Sequence, residues 1–362
     1  MMTMWRRSRR GAVALSAAAL LLGGLGTSAG AADSYTLRYS DLGPPRGPRA
    51  EAMIGWADTL AERSGGRIKV KFFWSQSLVK AKATLKAVGS GLADAGTVLG
   101  VYTPAALPTW NLANAPFGIA DPWVGMRTWH AMRQEVPDLN RETDRAGVHI
   151  LANFTSGPVD LLSRDPVTSL EALKGLKVRA TGGWTALLTS MQATPVRIGF
   201  GEVYQALDRG TVDATTSYIP FVLSYKHYEV ARHLTEVRMG QVLGYGLGIN
   251  KRLWAGMPDD LRRILTETSD ELMDRYAEKY LASVADVREK LEAGIDGRKV
   301  TFHRLTEAER AAWKAHADGF VAQWREKAEA RGVDADGVLA ALDRLRTAYE
   351  AELQAKGYPW QR

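Results

Sequence analysis

Arg179 is the residue with the clearest chemical potential in this sequence, because it stands near the end of the alternating run Leu176-Lys-Val-Arg-Ala180. A guanidinium at the carboxyl end of a strand in an open α/β sheet can grip a carboxylate through two parallel hydrogen bonds, a geometry that lysine cannot copy. Ser217 and Tyr218 close another strand of the same region, Val212 to Ser217. Aromatic side chains stand at further strand exits and turns: Trp74, Tyr102, Trp184 after Gly182-Gly183, and Phe200. Such rings commonly wall a pocket for a flat or apolar body, and they equally commonly fill a core.

Catalytic constellations are harder to find. The six histidines, His130, His149, His227, His233, His303 and His316, are scattered, with no His-Glu-x-x-His and no metal-ligand spacing. No Gly-x-Gly-x-x-Gly follows the first strand, no Walker sequence occurs, and no Gly-x-Ser-x-Gly elbow lies beyond the amino-terminal leader. With no cysteine, thiol catalysis, disulfides and thiolate metal sites are excluded. These features favour binding over turnover, with no cofactor or metal expected.

The net charge of +7 is misleading, since Arg6, Arg7, Arg9 and Arg10 lie in the first ten residues, and 7 − 4 leaves +3. The remaining charges are interleaved, which argues against a nucleic-acid partner. Those arginines, an apolar run from Ala12 to Leu25 and the small-residue site Ala29-Gly30-Ala31 form an export signal. Cleavage after Ala31 and a periplasmic location are expected. The run is too short for a spanning helix, which needs ~20 apolar residues. Ser8-Arg9-Arg10 leaves general secretion and twin-arginine export both open.

The elements that must position these side chains follow an α/β rhythm. Tyr35 to Tyr39 alternates as a strand, and Asp41-Leu-Gly-Pro-Pro45 is a loop. Apolar residues from Ala52 to Leu60 mark a helix that Gly65-Gly66 stops, and strands follow at Arg67 to Trp74 and Ala93 to Leu99 around a helix at Lys80 to Val88. The rhythm resumes with extended segments at Gly147 to Phe154 and near Leu161. Thr168-Ser-Leu-Glu171 has the capping-box pattern, and helices are expected from near Trp184 and from Glu202 to Leu207. From Met257-Pro-Asp-Asp260 a helical pattern continues to Gly294. It is either one rod of ~50 Å, which must bridge two lobes, or two helices with an unmarked kink. A last amphipathic stretch starts at the capping box Thr306-Glu-Ala-Glu309 and carries Trp313, Phe320 and Trp324.

The run Leu173-Lys-Gly-Leu-Lys-Val-Arg179, then Pro195, Phe200-Gly-Glu-Val-Tyr-Gln-Ala-Leu207, Gly210 and Val212-Asp213, resembles the dicarboxylate-receptor-like family, the extracytoplasmic receptors of tripartite ATP-independent periplasmic (TRAP) transporters. Ser64-Gly-Gly-Arg-Ile-Lys-Val70, Leu107-Pro108, Ala115-Pro-Phe117 and Met257-Pro-Asp-Asp-Leu261 support it. The resemblance implies a periplasmic binding protein-like fold of two α/β lobes with a hinge and a long helix crossing both. It implies a division into signal (1–31), lobe 1 (32–154), lobe 2 (155–244), a return to lobe 1 with the long helix (245–285), and completion of lobe 2 with the C-terminal helices (286–362). It also implies that Arg179 pairs with a ligand carboxylate, that Phe200 lines the pocket, and that Ser217 stands where relatives often have asparagine. The implied partners are a small organic acid and the membrane permease subunits, with the receptor itself a monomer.

Two departures stand out. Many relatives carry a second arginine about twenty residues before the first, where this chain has Pro158-Val159-Asp160, and Ala214 replaces a glycine after Asp213. The expected ligand is accordingly a monocarboxylate with an apolar or aromatic body. A receptor of the same fold feeding a signalling kinase, and an exported lyase or hydrolase of acidic solutes, are the alternatives.

Overall fold

The structure, a computed structural model, describes residues 34–362; the export signal expected over 1–31 lies outside them. Eleven strands among the described residues form two sheets: β1 (Tyr35–Ser40), β2 (Ile68–Phe73), β3 (Ala95–Leu99), β4 (Val148–Phe154), β5 (Asp160–Ser163), β6 (Lys177–Arg179), β7 (Thr194–Val196), β8 (Ala214–Ser217), β9 (His233–Glu236), β10 (Tyr245–Asn250) and β11 (Thr301–Arg304). The first sheet has the order β2-β1-β3-β10-β4 and the second β11-β9-β5-β8-β6-β7. Within the first, β1 runs parallel to β2 and β3, while β10 is antiparallel to both of its neighbours. In the second, β6 lies between parallel partners β7 and β8, with Arg179 opposite Val196 and Thr215.

Each sheet buries helices on its faces, and the result is two α/β lobes. The chain crosses from the first sheet to the second at 155–159 and returns at 237–244. The two crossings are stitched together: Val159 N donates to Gly240 O (2.7 Å), Met239 N to Val159 O (2.7 Å) and Ser156 N to Val242 O (3.2 Å). Such a paired connection can bend as a unit without losing its hydrogen bonds to water.

The segment from Asp259 to Ala293 is one uninterrupted helix of 35 residues, which settles the choice between a rod and a kinked pair. Leu261, Leu265, Leu272, Tyr276, Tyr280, Val287 and Leu291 are all buried along it, so nothing in its packing asks for a break. The first part packs on the helix Pro48–Arg63, where Trp56 Nε1 donates to Ser269 Oγ (3.1 Å), and on Pro122–Glu135 through Arg127 to Asp270 (2.6 Å). Farther along, Arg288 binds Glu236 of β9 (2.5 Å) and lies over the Phe302 ring of β11 (4.2 Å). The rod therefore ties both lobes together.

Two expectations need adjusting. The short helix Leu170–Leu173 is capped by Ser169, whose Oγ accepts from Ala172 N (3.2 Å), in place of a box begun at Thr168. The stretch after Thr306, whose box with Glu309 does form, breaks into helices Glu307–Ala315, Gly319–Glu329 and Ala335–Lys356, the last turn made by Gly332 at φ +74°. That reversal carries the last helix back onto Pro122–Glu135 of the first lobe, with Tyr349 and Tyr358 edge-on to Trp123 and Tyr358 Oη donating to Asp121 (2.7 Å). Of residues 286–362, β11 joins the second sheet while this helix does not.

Asp160, the first residue of β5, is buried, and its Oδ1 accepts from Arg238 N (2.9 Å). Burial raises its pKa to about 7; the Arg238 N–H opposes that and the nearby Glu236 adds to it. The native state thus keeps a proton that the unfolded chain loses near pH 4, and stability contributed here declines as pH rises from about 4 to about 7. Asp160→Asn should be the more stable protein at pH 8 by roughly 2–4 kcal/mol and should lose that advantage by pH 4. Urea unfolding of both proteins at several pH values checks this, because buried His130, His149 and His227, lowered by burial to about 3, about 4 and about 3, contribute equally to each. A pH-independent difference would show that Asp160 titrates as an ordinary carboxylate.

Candidate functional site

β6 is only three residues long, and alternation sets Arg179 on the face opposite Val178, the face of exposed Lys177; its place at the carboxyl end of the strand, beside the cavity, is what buries it. Val178 is fully buried between neighbouring strands, and Arg179, 2% exposed, projects at the carboxyl end of the parallel trio into a narrow cavity of about 30 Å³. That is room for little more than a water or two, so a guest of organic-acid size enters only as the walls part around Arg179. Its Nε donates to Ile198 O (3.0 Å), Nη2 reaches the Tyr102 hydroxyl (3.4 Å), and the guanidinium lies over the Phe200 ring (5.1 Å). No carboxylate among the described residues pairs with it, and Nη1 has no protein acceptor there. A buried cation without a carboxylate partner is costly unless an anion, water or another acceptor completes it.

Tyr102 reaches this site from the other lobe. Its hydroxyl accepts from Phe200 N (3.1 Å) and from Arg179, which leaves its own proton to donate. Tyr218 lines the wall beside Phe200 (ring centroids 5.7 Å), and burial pushes its hydroxyl up to about 12, so it is a neutral donor. Behind Phe200 sits His227, buried and lowered to about 3 by burial and by the charge of Arg179, hence neutral.

Four of the eight residues singled out from sequence, Arg179, Tyr102, Phe200 and Tyr218, come together on the cavity wall. Gly182 stands at its edge, in the outer cleft; it caps the helix Gly183–Ser190 at φ +59°, and a Cβ there would meet Val101 Cγ1 of the first lobe at 2.9 Å. The other three stand off the wall. Trp184 is buried in packing, with Nε1 donating to Met239 O (2.9 Å), so it braces the returning crossover. Trp74 stacks on Phe72 (4.5 Å) and backs Arg49. Ser217 is buried inside β8 opposite Asp160, its Oγ without a protein partner, one residue short of the wall that Tyr218 forms. Strand and loop positions fix which residues approach a site; which way an indole turns depends on the packing around it.

Sequence reasoning missed Arg49. It lies in the first turns of Pro48–Arg63, 5% exposed, lines the cavity and forms a buried ion pair with Asp41, the residue just after β1. Burial works against its charge, but Asp41 prevails and holds its pKa well above the ordinary value. Asp41 is fixed in turn by Gly43 N (2.7 Å) and Thr97 Oγ1 (3.0 Å). The available signal was an acid and an arginine flanking a proline-rich loop at a strand's carboxyl end. The cavity thus contains two guanidiniums balanced by one carboxylate.

The cavity opens past Val101, Tyr102 and Thr181 into an outer cleft whose rim carries Lys82, Arg197, Lys327 and Arg331 and no acid. None of the four belongs to an ion pair among the described residues. A cleft lined by one sign of charge concentrates anions at its mouth. The helix Gly319–Glu329 spans that mouth, with Phe320 against Gly183 of the second lobe and Trp324 Nε1 donating to Pro108 O of the first (3.3 Å).

Residues 39–327 match the family model described as bacterial extracellular solute-binding protein, family 7. The chain belongs to this family. It is a TRAP-type, DctP-like extracytoplasmic solute receptor, as the motif around Arg179 implied. Among curated relatives, the C4-dicarboxylate-binding periplasmic protein DctP of Rhodobacter capsulatus is 27% identical over 290 residues, 78% of this chain and 84% of the relative. A TRAP periplasmic solute-binding protein from Desulfovibrio salexigens, crystallised as an open complex, is 25% identical, with a TM-score of 0.71 over 90% of this chain and 98% of its own. A TRAP solute-binding protein from Rhodoferax ferrireducens, in complex with copurified benzoate, has a TM-score of 0.80 at 23% identity over 88% and 99% of the two chains. The family placement accounts for the two lobes, the stitched crossings and the rod.

Proposed function

We propose that this receptor captures a small organic monocarboxylate with an apolar or aromatic body in the periplasm, closes its lobes around it, and delivers it, as a monomer, to the permease subunits of a TRAP transporter. Binding proceeds without turnover and without a cofactor. The observation that carries the reading is Arg179: a buried guanidinium, free of any carboxylate partner among the described residues, at the carboxyl end of β6. The charge count supports a single negative charge on the guest, since Asp41 already neutralises Arg49. The apolar part of the wall, Leu99, Val101, Phe200 and Phe221, suits a flat or hydrocarbon body, as does the benzoate held by the Rhodoferax relative. By the same count, the dicarboxylate in the name of the Rhodobacter protein is a poorer fit here.

Lobe closure follows from residues contributed by both sides. Tyr102 and Arg49 come from the first lobe and Arg179, Phe200 and Tyr218 from the second, so a guest touching all of them stabilises the closed arrangement. Thermal unfolding against a panel of organic acids tests the function. An acid present at a hundred times its dissociation constant should stabilise the protein by ~2.7 kcal/mol. Stabilisation by sugars or amines, with none by acids, would refute the proposal.

A further inference from the structure

The part of the cavity wall around Arg49 has a chemistry of its own. Arg49 gives one nitrogen to Asp41, while its Nε and Nη2 have no protein acceptor among the described residues. The hydroxyls of Tyr245, which is buried, and Tyr225, which is half-buried, both belong to cavity-wall residues and likewise make no hydrogen bond within the described protein. Burial raises the pKa of each well above the ordinary phenol value, with the charge of Arg49 opposing, so both remain protonated and able to donate. Buried donors without acceptors cost free energy unless a guest or water satisfies them. Asp41 lies directly behind Arg49, fully buried, and a second carboxylate brought to Arg49 would face that fixed negative charge.

We propose that Arg49, Tyr225 and Tyr245 form a second subsite for a neutral oxygen acceptor, so that the preferred guest is a monocarboxylic acid bearing a hydroxyl or oxo group besides its carboxylate. This rests on the carboxylate being held at Arg179. Arg49 then acts as a selectivity residue: it distinguishes substituted acids from plain ones by donating to an oxygen that plain acids lack, and it disfavours dicarboxylates through Asp41.

Calorimetric titration of the full chain with benzoate, 3- and 4-hydroxybenzoate, isophthalate and terephthalate, and with butanoate, 4-hydroxybutanoate and succinate, tests the proposal. In at least one series the hydroxy acid should bind tenfold or more tighter than the plain acid, and the diacid should bind weakest. Arg49→Met should abolish the preference for the hydroxyl. Since that variant strands Asp41, the double variant Asp41→Asn/Arg49→Met, which removes both charges, is measured beside it after its melting curve is recorded. A plain acid or a diacid binding as tightly as the hydroxy acid, a preference that survives both variants, or no binding by any of the eight compounds would overturn the subsite. Arg179→Ala separates the two levels: affinities that fall with it while no hydroxyl preference exists remove the subsite alone, and affinities unchanged by it remove the carboxylate reading beneath.

Discussion

Arg179→Ala should weaken binding of the cognate acid by a hundredfold to a thousandfold, about 3–4 kcal/mol, while leaving the protein folded. The size of the loss follows from desolvation. A carboxylate enclosed by Phe200, Tyr218 and Tyr102 has given up its water, and without the guanidinium it is left with hydroxyl donors alone. Stability of the ligand-free protein should suffer little, because the substitution also removes a buried charge that no carboxylate among the described residues balances. Arg179→Lys should recover only part of the affinity: the charge returns, but a single ammonium cannot reproduce the fork or hold the bond to Ile198 O at the same time. Titration calorimetry on the three proteins gives the affinities and circular dichroism the folded state. Equal affinity for wild type and Arg179→Ala would remove the anchor.

The second large effect is structural. Gly157 sits in the crossing from β4 to β5 at φ +73°, and a Cβ there would lie 1.8 Å from the Tyr280 hydroxyl and 2.0 Å from Cζ. Tyr280 belongs to the rod and is 2% exposed, so its ring has nowhere to move. Nearby, Tyr276 Oη donates to Thr155 O (2.7 Å), holding crossing and rod in register. Gly157→Ala combines the backbone penalty of a left-handed alanine with a steric clash against a pinned ring, and should destabilise the protein by roughly 3–5 kcal/mol. Gly157→Ala/Tyr280→Leu should lose less than the sum of the two single changes, since one clash is shared. Urea unfolding of the four proteins measures that coupling. A loss under ~1 kcal/mol for Gly157→Ala would show that the crossing shifts freely against the rod.

How far this architecture is readable from residues alone depends on the kind of signal each element carries. The rod was legible because its apolar positions keep helical period from Leu261 to Leu291, yet a kink leaves no mark in composition, and only the burial along its whole length decides for one helix. β10 was not legible. Tyr245-Gly-Leu-Gly-Ile-Asn250 carries glycines that argue against a strand, but Gly246 and Gly248 are there because side chains would collide with Ile150 and Val148 of β4. The reversal after Gly332, which takes the last helix back to the first lobe, is a tertiary choice that local pattern does not encode.

The same division runs through the site. The place of Arg179 on the cavity wall was legible because strand alternation and the carboxyl-end rule both act on its own segment. Arg49 was missed because its role arises from meeting Asp41 and the cavity across a loop, and the search for a second cation looked to Pro158–Asp160 instead. Trp74 and Trp184 were over-read: an indole near a strand exit has two sides, and here packing on Phe72 and a bond to Met239 O take both residues off the wall.

The most direct test is a crystal structure of the protein grown with the acid that stabilises it most. The carboxylate oxygens should lie within hydrogen-bond distance of the Arg179 guanidinium, enclosed between Tyr102 and Phe200. A trapped acid bound elsewhere, with the Arg179 side chain turned to bulk solvent, would contradict the account.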